Sequence, residues 1–287
     1  MIQTTNHIDA YCTSGPSPTI RLIGPQNAPV VLVLGGISAT SDLKWWSPVV
    51  GQNGAINPQR FRILSCSWHV QPHVTTHQQA KHILTFLDQN NISTLHAAVG
   101  CSYGGMVALA LGELAPHRVS HIIPIAAAHR SHTLATAWRW IQRQLAQSLP
   151  HDEGLSLARA LAMTTYRSDQ DLDDRFSQRP QELFSWLNHH GHEFTKRFSV
   201  REFCAVSTAI DEHRVHPANI TTPTTVIGFD SDVLVPPWLL DELVEQLPCG
   251  EKIELNSVYG HDAFLKETQQ LNGVLATLLY TRQGVAA

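Results

Sequence analysis

Short apolar runs alternate with segments of helical periodicity along most of the chain. Near-continuous apolar, β-branched runs are typical of strands buried on both faces, and helix-length segments between them favour parallel crossovers. The pattern therefore predicts an α/β fold with a mostly parallel central sheet and helices on both faces. The expected strands are Val30–Leu34, Arg62–Ser67, His96–Val99, Ile122–Ile125, Thr224–Ile227 and Lys252–Leu255, and the expected helices are Gln78–Asn90, Met106–Leu114, Trp238–Gln246 and Phe264–Leu279.

One long segment breaks this alternation. Residues 135–210 contain helical patterns and no convincing strand, and they fall between the fourth and fifth expected strands. Ligands of doubly wound folds bind at the carboxyl ends of the strands, so an insertion at this position is expected to cover that edge. Because no linker or internal repeat sets it apart, we expect one domain over residues 1–287 with a helical cap at about 135–210.

Composition narrows the classes of partner. The formal net charge is -4 without a run of basic residues, which argues against nucleic acid and anionic membranes as partners. No apolar stretch is long enough to span a bilayer, and Met1–Ala10 lacks the apolar core of a secretory signal. The five scattered cysteines form no C-x-x-C pair, which favours reduced thiols in a cytoplasmic protein.

Histidine is unusually frequent, with 17 in the chain, and three of them are close together at His189, His190 and His192. This group resembles a metal site, but no second ligand group of suitable spacing and no H-E-x-x-H motif accompanies it. We interpret it as a polar loop after a helix. The prediction is no metal and no permanently bound cofactor.

A G-x-S-x-G motif marks the candidate nucleophile. Gly100-Cys101-Ser102-Tyr103-Gly104 follows an expected strand and precedes an expected helix, which is the context of a nucleophile elbow. The tight turn requires glycine on both sides of Ser102, and the Tyr103 N–H at the helix N-terminus points at a developing oxyanion. A second oxyanion donor is expected from the Gly35–Ser38 loop, with the Ile37 N–H as candidate; the alternative for both segments is a plain turn.

The acid and base of this fold follow the serine in the order Asp or Glu, then His. Both Asp230 and Asp232 follow the fifth expected strand, and His261 follows the sixth. His261 would take the Ser102 proton as general base, while one of the aspartates holds its tautomer. The spacing does not decide between the two aspartates, and the alternatives are a turn-forming aspartate and a solvated loop histidine.

Several longer segments carry a family resemblance. The chain resembles the homoserine O-acyltransferase family of the α/β-hydrolase superfamily, and the similar segments run in family order from about Val30 to Leu265. They are GCSYGGMVALALGELAPHRV, AWRWIQRQ, GLSLARALAMTTYRS, RFSVREFCAVSTAID, SDVLVPP and YGHDAFL.

The resemblance implies roles for individual residues. It assigns the acid to Asp232, because the family's acid lies in the SD-x-L-x-PP segment. It implies that Arg159 binds the α-carboxylate of an amino-acid substrate as a bidentate partner, with Tyr166 beside it. It implies that Asp262 binds the α-ammonium group. These three residues also have structural alternatives: a cap–core contact for the first two and a solvent-facing carboxylate for Asp262.

The implied reaction is ping-pong transfer of an acetyl or succinyl group from acyl-CoA to the hydroxyl of L-homoserine, for methionine synthesis, through an acyl-Ser102 ester. The resemblance also implies a homodimer packed through cap helices such as the apolar stripe Trp138–Leu145, whose alternative is core packing. L-serine stays open as the acceptor because one methylene gives roughly 1–3 kcal/mol of discrimination. An esterase or thioesterase with the same triad is the alternative activity, and a non-catalytic binding protein is disfavoured because all three triad positions are occupied.

Overall fold

A single sheet organises the chain. The computed structural model describes residues 19–150 and 152–281, and within them seven strands pair in the order β1-β3-β2-β4-β5-β6-β7. All neighbours are parallel except β1, which pairs antiparallel with β3. The α/β fold class predicted from the sequence is confirmed. The strands are β1 (Ile20–Ile23), β2 (Val30–Leu34), β3 (Arg62–Cys66), β4 (Ala97–Cys101), β5 (Ile122–Ile125), β6 (Thr224–Phe229) and β7 (Gly250–Leu255).

Helices connect the parallel strands and cover both faces of the sheet. Alternate residues of β2 divide between two cores: Leu32 and Leu34 belong to one, Val31 and Val33 to the other. A strand buried on both sides is therefore apolar throughout, which explains its continuous hydrophobic run. The helices are α1 (Thr76–Gln89), α2 (Tyr103–Leu114), α3 (Thr133–Ser148), α4 (Glu153–Tyr166), α5 (Asp169–Phe176), α6 (Pro180–Thr195), α7 (Val200–Asp211), α8 (Pro237–Gln246), α9 (Ala263–Lys266) and α10 (Thr268–Tyr280).

The helices α3 to α7 lie in succession between β5 and β6, and we call them the cap. The cap has a small core of its own, in which Leu155, Phe194 and Phe203 are buried. The most extensive packing in the cap joins α3 to α4 and α4 to α6. Because β2 leads to β3 on one side while β4 lies on the other, the carboxyl ends of β2 and β4 form the switch point of the sheet.

Three details differ from the prediction. Strand β1 was not predicted, because it has only four residues and one of them, Arg21, is exposed. The helix expected over Phe264–Leu279 is divided into α9 and α10, since the Phe264 carbonyl accepts the Trp46 indole N–H at 2.9 Å where a continuous helix would bond it to the amide four residues on. The expected loop at His189–His192 is wrong, since these residues continue α6.

The structure also bears on metal sites, membrane-spanning helices and the cysteines. In the part of the chain that the structure describes, no group of three or more potential metal ligands comes together, and no helix has the length and apolarity to cross a membrane. Cys66, Cys101, Cys204 and Cys249 are free thiols, whereas Cys12 and the Met1–Ala10 segment lie outside the described residues.

Candidate active site

The serine of the G-x-S-x-G motif lies in a strained turn between β4 and α2. Ser102 has φ 52° and ψ -118°, in the left-handed half of the backbone map that non-glycine residues rarely adopt. A β-carbon on Gly100 would lie 2.2 Å from the Gly104 carbonyl oxygen, and one on Gly104 would lie 2.6 Å from the backbone of Leu34. The turn is therefore closed to larger residues at both glycines, as the motif predicts.

Three side chains from separate loops form a continuous hydrogen-bond chain. Ser102 Oγ lies 2.8 Å from His261 Nε2, and His261 Nδ1 lies 2.7 Å from Asp232 Oδ2. His261 and Asp232 are 6% and 2% exposed, so water does not compete for these bonds. The arrangement is that of a nucleophile, a general base and a carboxylate that orients the base.

The structure distinguishes the two aspartates that the spacing left open. Asp232 Oδ1 accepts hydrogen bonds from the Leu234 and Val235 amides at 2.9 and 3.0 Å, leaving Oδ2 for His261. Asp230 is exposed and accepts a hydrogen bond from the Ser257 amide at 2.9 Å. Only Asp232 contacts the histidine, and Asp230 fixes the turn next to β7.

The electrostatic environment of His261 favours its protonated form. Burial alone would disfavour the imidazolium, but the hydrogen-bonded Asp232 carboxylate and nearby Asp262 outweigh it and raise the pKa of His261 above its ordinary value. The positive charge of Arg139 acts in the opposite direction. A base tuned in this way can accept the serine proton and hold it as an imidazolium.

The predicted oxyanion donors flank the serine. Tyr103 is the first residue of α2, where an amide has no intrahelical acceptor, and Ile37 lines the cavity in front of Ser102 together with Gly36. A β-carbon on Gly36 would lie 4.0 Å from that of Ser102, so the loop after β2 runs directly beside the nucleophile. The Trp68 indole N–H holds the Gly36 carbonyl at 2.9 Å.

The residues on either side of the nucleophile are structural in character. The Tyr103 ring is 1% exposed and packs edge-on against Trp68 with centroids 4.8 Å apart, and burial raises the pKa of its hydroxyl to about 12. The Cys101 side chain is fully buried, and burial raises the pKa of its thiol well above the usual value. Neither side chain is suited to act as a nucleophile.

Arg159 and Tyr166, both on α4, line the same cavity as Ser102. The Arg159 guanidinium lies over the rings of Tyr166 and Phe194, at 5.1 and 4.9 Å from their centroids. Among the described residues no carboxylate forms a salt bridge with it. Stacking fixes the plane of this cation while its hydrogen-bond donors stay available to an anionic ligand.

Asp262 lies beside the base and forms an ion pair that the sequence did not reveal. Its Oδ2 is 3.1 Å from Nε of Arg167, the residue that directly follows the C-terminus of α4. Burial raises the pKa of Asp262, against the opposing effect of Arg167, Arg159 and His261. Arg167 directly follows Tyr166 in the TTYRS segment and also donates to Asp171, four residues on, at 3.2 Å. Asp262 is distant in the chain, and only the fold brings it to Arg167.

The cap contacts the loop that carries the base. Gly260 has φ 61°, and a β-carbon there would lie 2.8 Å from the Ser168 amide nitrogen and 2.9 Å from the Arg167 carbonyl carbon. The Ser168 hydroxyl donates to the Val258 carbonyl. The position of His261 therefore depends on the cap as well as on the sheet.

Two more arginines, which the sequence did not single out, line the cavity. Arg130 forms a two-pronged ion pair with Glu242, in which its Nε lies 3.0 Å from Oε1. Arg139 on α3 pairs with Asp211 on α7 at 2.6 Å. With Arg159, three arginines thus line the cavity, and Arg130 and Arg139 are ion-paired.

Comparison with known proteins agrees with this architecture. Residues 29–268 match the family described as the alpha/beta hydrolase fold. The chain is 35% identical over 290 residues to homoserine O-succinyltransferase from Xanthomonas campestris pv. campestris, covering 91% of this chain and 78% of the relative. It is 29% identical over 299 residues to homoserine O-acetyltransferase from Nostoc punctiforme, covering 85% of this chain and 84% of that one.

A crystal structure of homoserine O-acetyltransferase from Bacillus anthracis has the same fold, with a TM-score of 0.82, 16% identity and 91% coverage of both chains. The family resemblance read from the motifs is confirmed by the relative with 35% identity. The chain belongs to the alpha/beta-hydrolase fold family and, within it, to the homoserine O-acyltransferases.

Proposed function

We propose that the protein transfers an acyl group from acyl-CoA to the hydroxyl of L-homoserine through an ester on Ser102. The observation that carries the proposal is one cavity lined by the Ser102–His261 pair, the cation of Arg159, which has no salt bridge to any described residue, and the carboxylate of Asp262. A free amino acid presents one anion and one cation, which a simple ester substrate lacks. The names of the relatives support the same acceptor.

The first half-reaction acylates the serine. Ser102 Oγ attacks the thioester carbonyl while His261 Nε2 takes its proton, and Asp232 stabilises the imidazolium. The Tyr103 and Ile37 amides would donate to the oxyanion of the tetrahedral intermediate. The C–S bond then breaks, His261 returns the proton to the sulfur, and CoA leaves as the thiol.

The second half-reaction transfers the acyl group to the acceptor. His261 removes the proton from the homoserine hydroxyl, whose oxygen attacks the ester carbonyl. The bond to Ser102 Oγ breaks, and His261 returns the proton to that oxygen. The product is the O-acyl amino acid and the enzyme is restored, so no permanently bound cofactor is required.

Acceptor recognition rests on opposite charges at the two sides of the base. Arg159, held by Tyr166, would bind the α-carboxylate, and Asp262 would bind the α-ammonium group. Arg167 lies 3.1 Å from Asp262 and opposes the rise in the pKa of Asp262 that burial causes. L-serine carries the same two charges, and its shorter side chain would move the hydroxyl by one methylene relative to Ser102.

A hydrolase reaction with water as the acceptor is the second candidate, because the same triad supports it. The cap favours transfer over hydrolysis by enclosing the serine, since Trp138, Phe203 and Ile210 from α3 and α7 contribute apolar walls to the cavity. We propose a cytoplasmic location, where acyl-CoA is available.

We also propose a homodimer formed through the cap. Of the Trp138–Leu145 stripe, Trp138 packs on the main core and Leu145 on the cap core, whereas Trp140 and Ile141 are 57% and 43% exposed. Large exposed hydrophobic residues on one helix support a partner surface. Sedimentation of the wild type and of a Trp140→Glu, Ile141→Glu variant tests it: we expect a dimer that becomes a monomer.

The activity is tested by following free CoA thiol with acetyl-CoA or succinyl-CoA, each with L-homoserine, L-serine or no acceptor. We expect fast release of CoA thiol with one donor only when L-homoserine is present, and no release by Ser102→Ala. Equal release without an amino acid would establish a thioesterase. Faster release with L-serine would replace the acceptor but leave the mechanism unchanged.

A further inference from the structure

Two arginines of α3 share one carboxylate of α7. Arg139 Nε lies 2.6 Å from Asp211 Oδ1, and Arg143 Nη1 lies 2.6 Å from Asp211 Oδ2. All three side chains are at most 15% exposed. Two guanidinium groups against one carboxylate leave a net positive charge at a site that is largely removed from water. A buried, uncompensated charge is costly, so an anionic partner would be stabilising there.

This excess charge faces the cavity rather than the outer surface. Arg139 lines the cavity with Gln142, one turn further along α3, and with Ser207 of α7. Arg143 is turned away: it donates to Asp211 and to the Ser207 hydroxyl at 2.8 Å. The two arginines bond Asp211 equally, so the cluster has one positive charge in excess, and Arg139 is the one of the two that lines the cavity.

The donors needed to bind a carboxylate are in place. The hydrogen bonds of Arg139 to described residues use Nε and Nη2, with Ser131 Oγ at 3.0 Å, so Nη1 remains available. Gln142 is 3% exposed, and its side-chain amide has no hydrogen-bond partner in the described ranges 19–150 and 152–281. An unpaired buried amide that lines a cavity is expected to bond to a ligand.

The other two cavity arginines are engaged differently. Arg130 is neutralised one-to-one by Glu242. Arg159 lies over Tyr166, whose ring centroid is 6.0 Å from that of His261. In the proposed reaction Arg159 binds the acceptor. Arg139 lines the same cavity as Ser102 and His261, so this second cation faces the reacting centre.

We propose that Arg139, Gln142 and Ser207 form an acyl-carboxylate subsite, which binds the free carboxylate of a dicarboxylic acyl group carried by Ser102. The donor would then be a dicarboxylic thioester such as succinyl-CoA in preference to acetyl-CoA. This inference rests on the proposed acyl transfer, whose acceptor it does not alter.

Chromogenic esters test the subsite without CoA or an amino acid. The mono-4-nitrophenyl ester of succinic acid and 4-nitrophenyl butyrate have acyl chains of similar length, and they differ in the terminal carboxylate. The release of nitrophenol on acylation of Ser102 is measured for the wild type, Arg139→Met, Gln142→Leu and, as a control on an exposed cap arginine, Arg197→Met. Gln142→Leu keeps the Arg139–Asp211–Arg143 cluster intact and guards against misfolding.

The wild type and Arg197→Met should prefer the succinate ester. Loss of a hydrogen bond to a charged group predicts that the ratio of the succinate to the butyrate rate falls about 10- to 100-fold in Arg139→Met. Both rates are measured at a pH above the midpoint of His261, because Arg139 also acts on the pKa of that base. Gln142→Leu should show a smaller loss in the same direction. Equal losses with both esters, or a wild type that prefers butyrate, would overturn the subsite.

The thioester assay separates this inference from the proposed function. If succinyl-CoA supports transfer to L-homoserine and Arg139→Met shifts preference towards acetyl-CoA, both stand. If transfer occurs but the wild type prefers acetyl-CoA, the subsite is wrong and the proposed function survives. If the ester selectivity depends on Arg139 but no amino acid accepts the group, the subsite stands and the proposed function fails.

Discussion

Replacing Asp232 by asparagine should disable the base without disturbing the fold. The Leu234 and Val235 amides both donate to one carboxylate oxygen, at 2.9 and 3.0 Å. An asparagine must place its carbonyl oxygen there, because the opposite orientation would leave two buried amide donors unsatisfied at roughly 1–3 kcal/mol each. Its NH2 group then faces His261 Nδ1, where the carboxylate accepted a hydrogen bond at 2.7 Å.

This orientation reverses the tautomer of the histidine. Nδ1 must accept from the asparagine NH2, so the ring proton moves to Nε2, which then donates to Ser102 Oγ and cannot take its proton. A carboxylate-to-amide change of this kind lowers turnover by about 10⁴-fold in a serine triad, and tenfold in rate corresponds to about 1.4 kcal/mol. The barrier to acylation should therefore rise by about 5 kcal/mol.

The assay is the nitrophenol burst on acylation, with Asp230→Asn as the matched control. Asp230 is exposed, and its side chain accepts a hydrogen bond from the Ser257 amide at 2.9 Å, which an asparagine oxygen can also accept. We expect Asp230→Asn to keep acylation within about threefold, as for a surface substitution of less than about 0.5 kcal/mol. Similar losses in the two variants would refute the assignment of the acid.

Three further predictions concern the acceptor, the base and the cap. Arg159→Gln should raise the KM for L-homoserine about 10- to 100-fold and leave acylation by the donor unchanged, because only the acceptor's carboxylate is lost; an unchanged KM would reject the clamp. Acylation needs neutral His261, so the rate of acylation should rise with pH through a midpoint above 6.5. Asp262→Asn should lower that midpoint, because it removes a charge that favours the imidazolium. An unmoved midpoint would contradict this coupling. Gly260→Ala should lower the free energy of unfolding by at least about 1–2 kcal/mol, because the backbone at this residue is left-handed and the new β-carbon would lie 2.8 Å from the Ser168 amide nitrogen. An unchanged thermal midpoint would mean that the loop is free of the cap.

The sequence predicts well those elements that allow only one class of residue at each position. Strands β2 and β5 are buried on both faces, so their apolar runs are continuous and unambiguous. The elbow at Ser102 is similarly determined, because only glycine fits on either side of the turn. Strand β1 has Arg21 exposed at the sheet edge, so its four residues leave no such run.

The parts that the sequence does not predict depend on long-range pairing. The choice between Asp230 and Asp232 came from family resemblance, and in the structure Asp232 lies against His261 whereas Asp230 accepts from the Ser257 amide. Arg139 and Asp211 are 72 residues apart in the chain, and nothing local identifies them as partners. An arginine in a sequence shows its charge, but only the fold shows whether that charge is compensated.

Intact-mass measurement of the acyl-enzyme shows directly whether Ser102 carries the acyl group during transfer. The protein is mixed with acyl-CoA alone, quenched, and digested to locate the adduct, and L-homoserine or buffer is then added to a second sample. We predict one acyl group on the peptide that contains Ser102, which is stable in buffer and is discharged rapidly by L-homoserine. An adduct on another residue, or one that disappears equally fast in buffer, would contradict it.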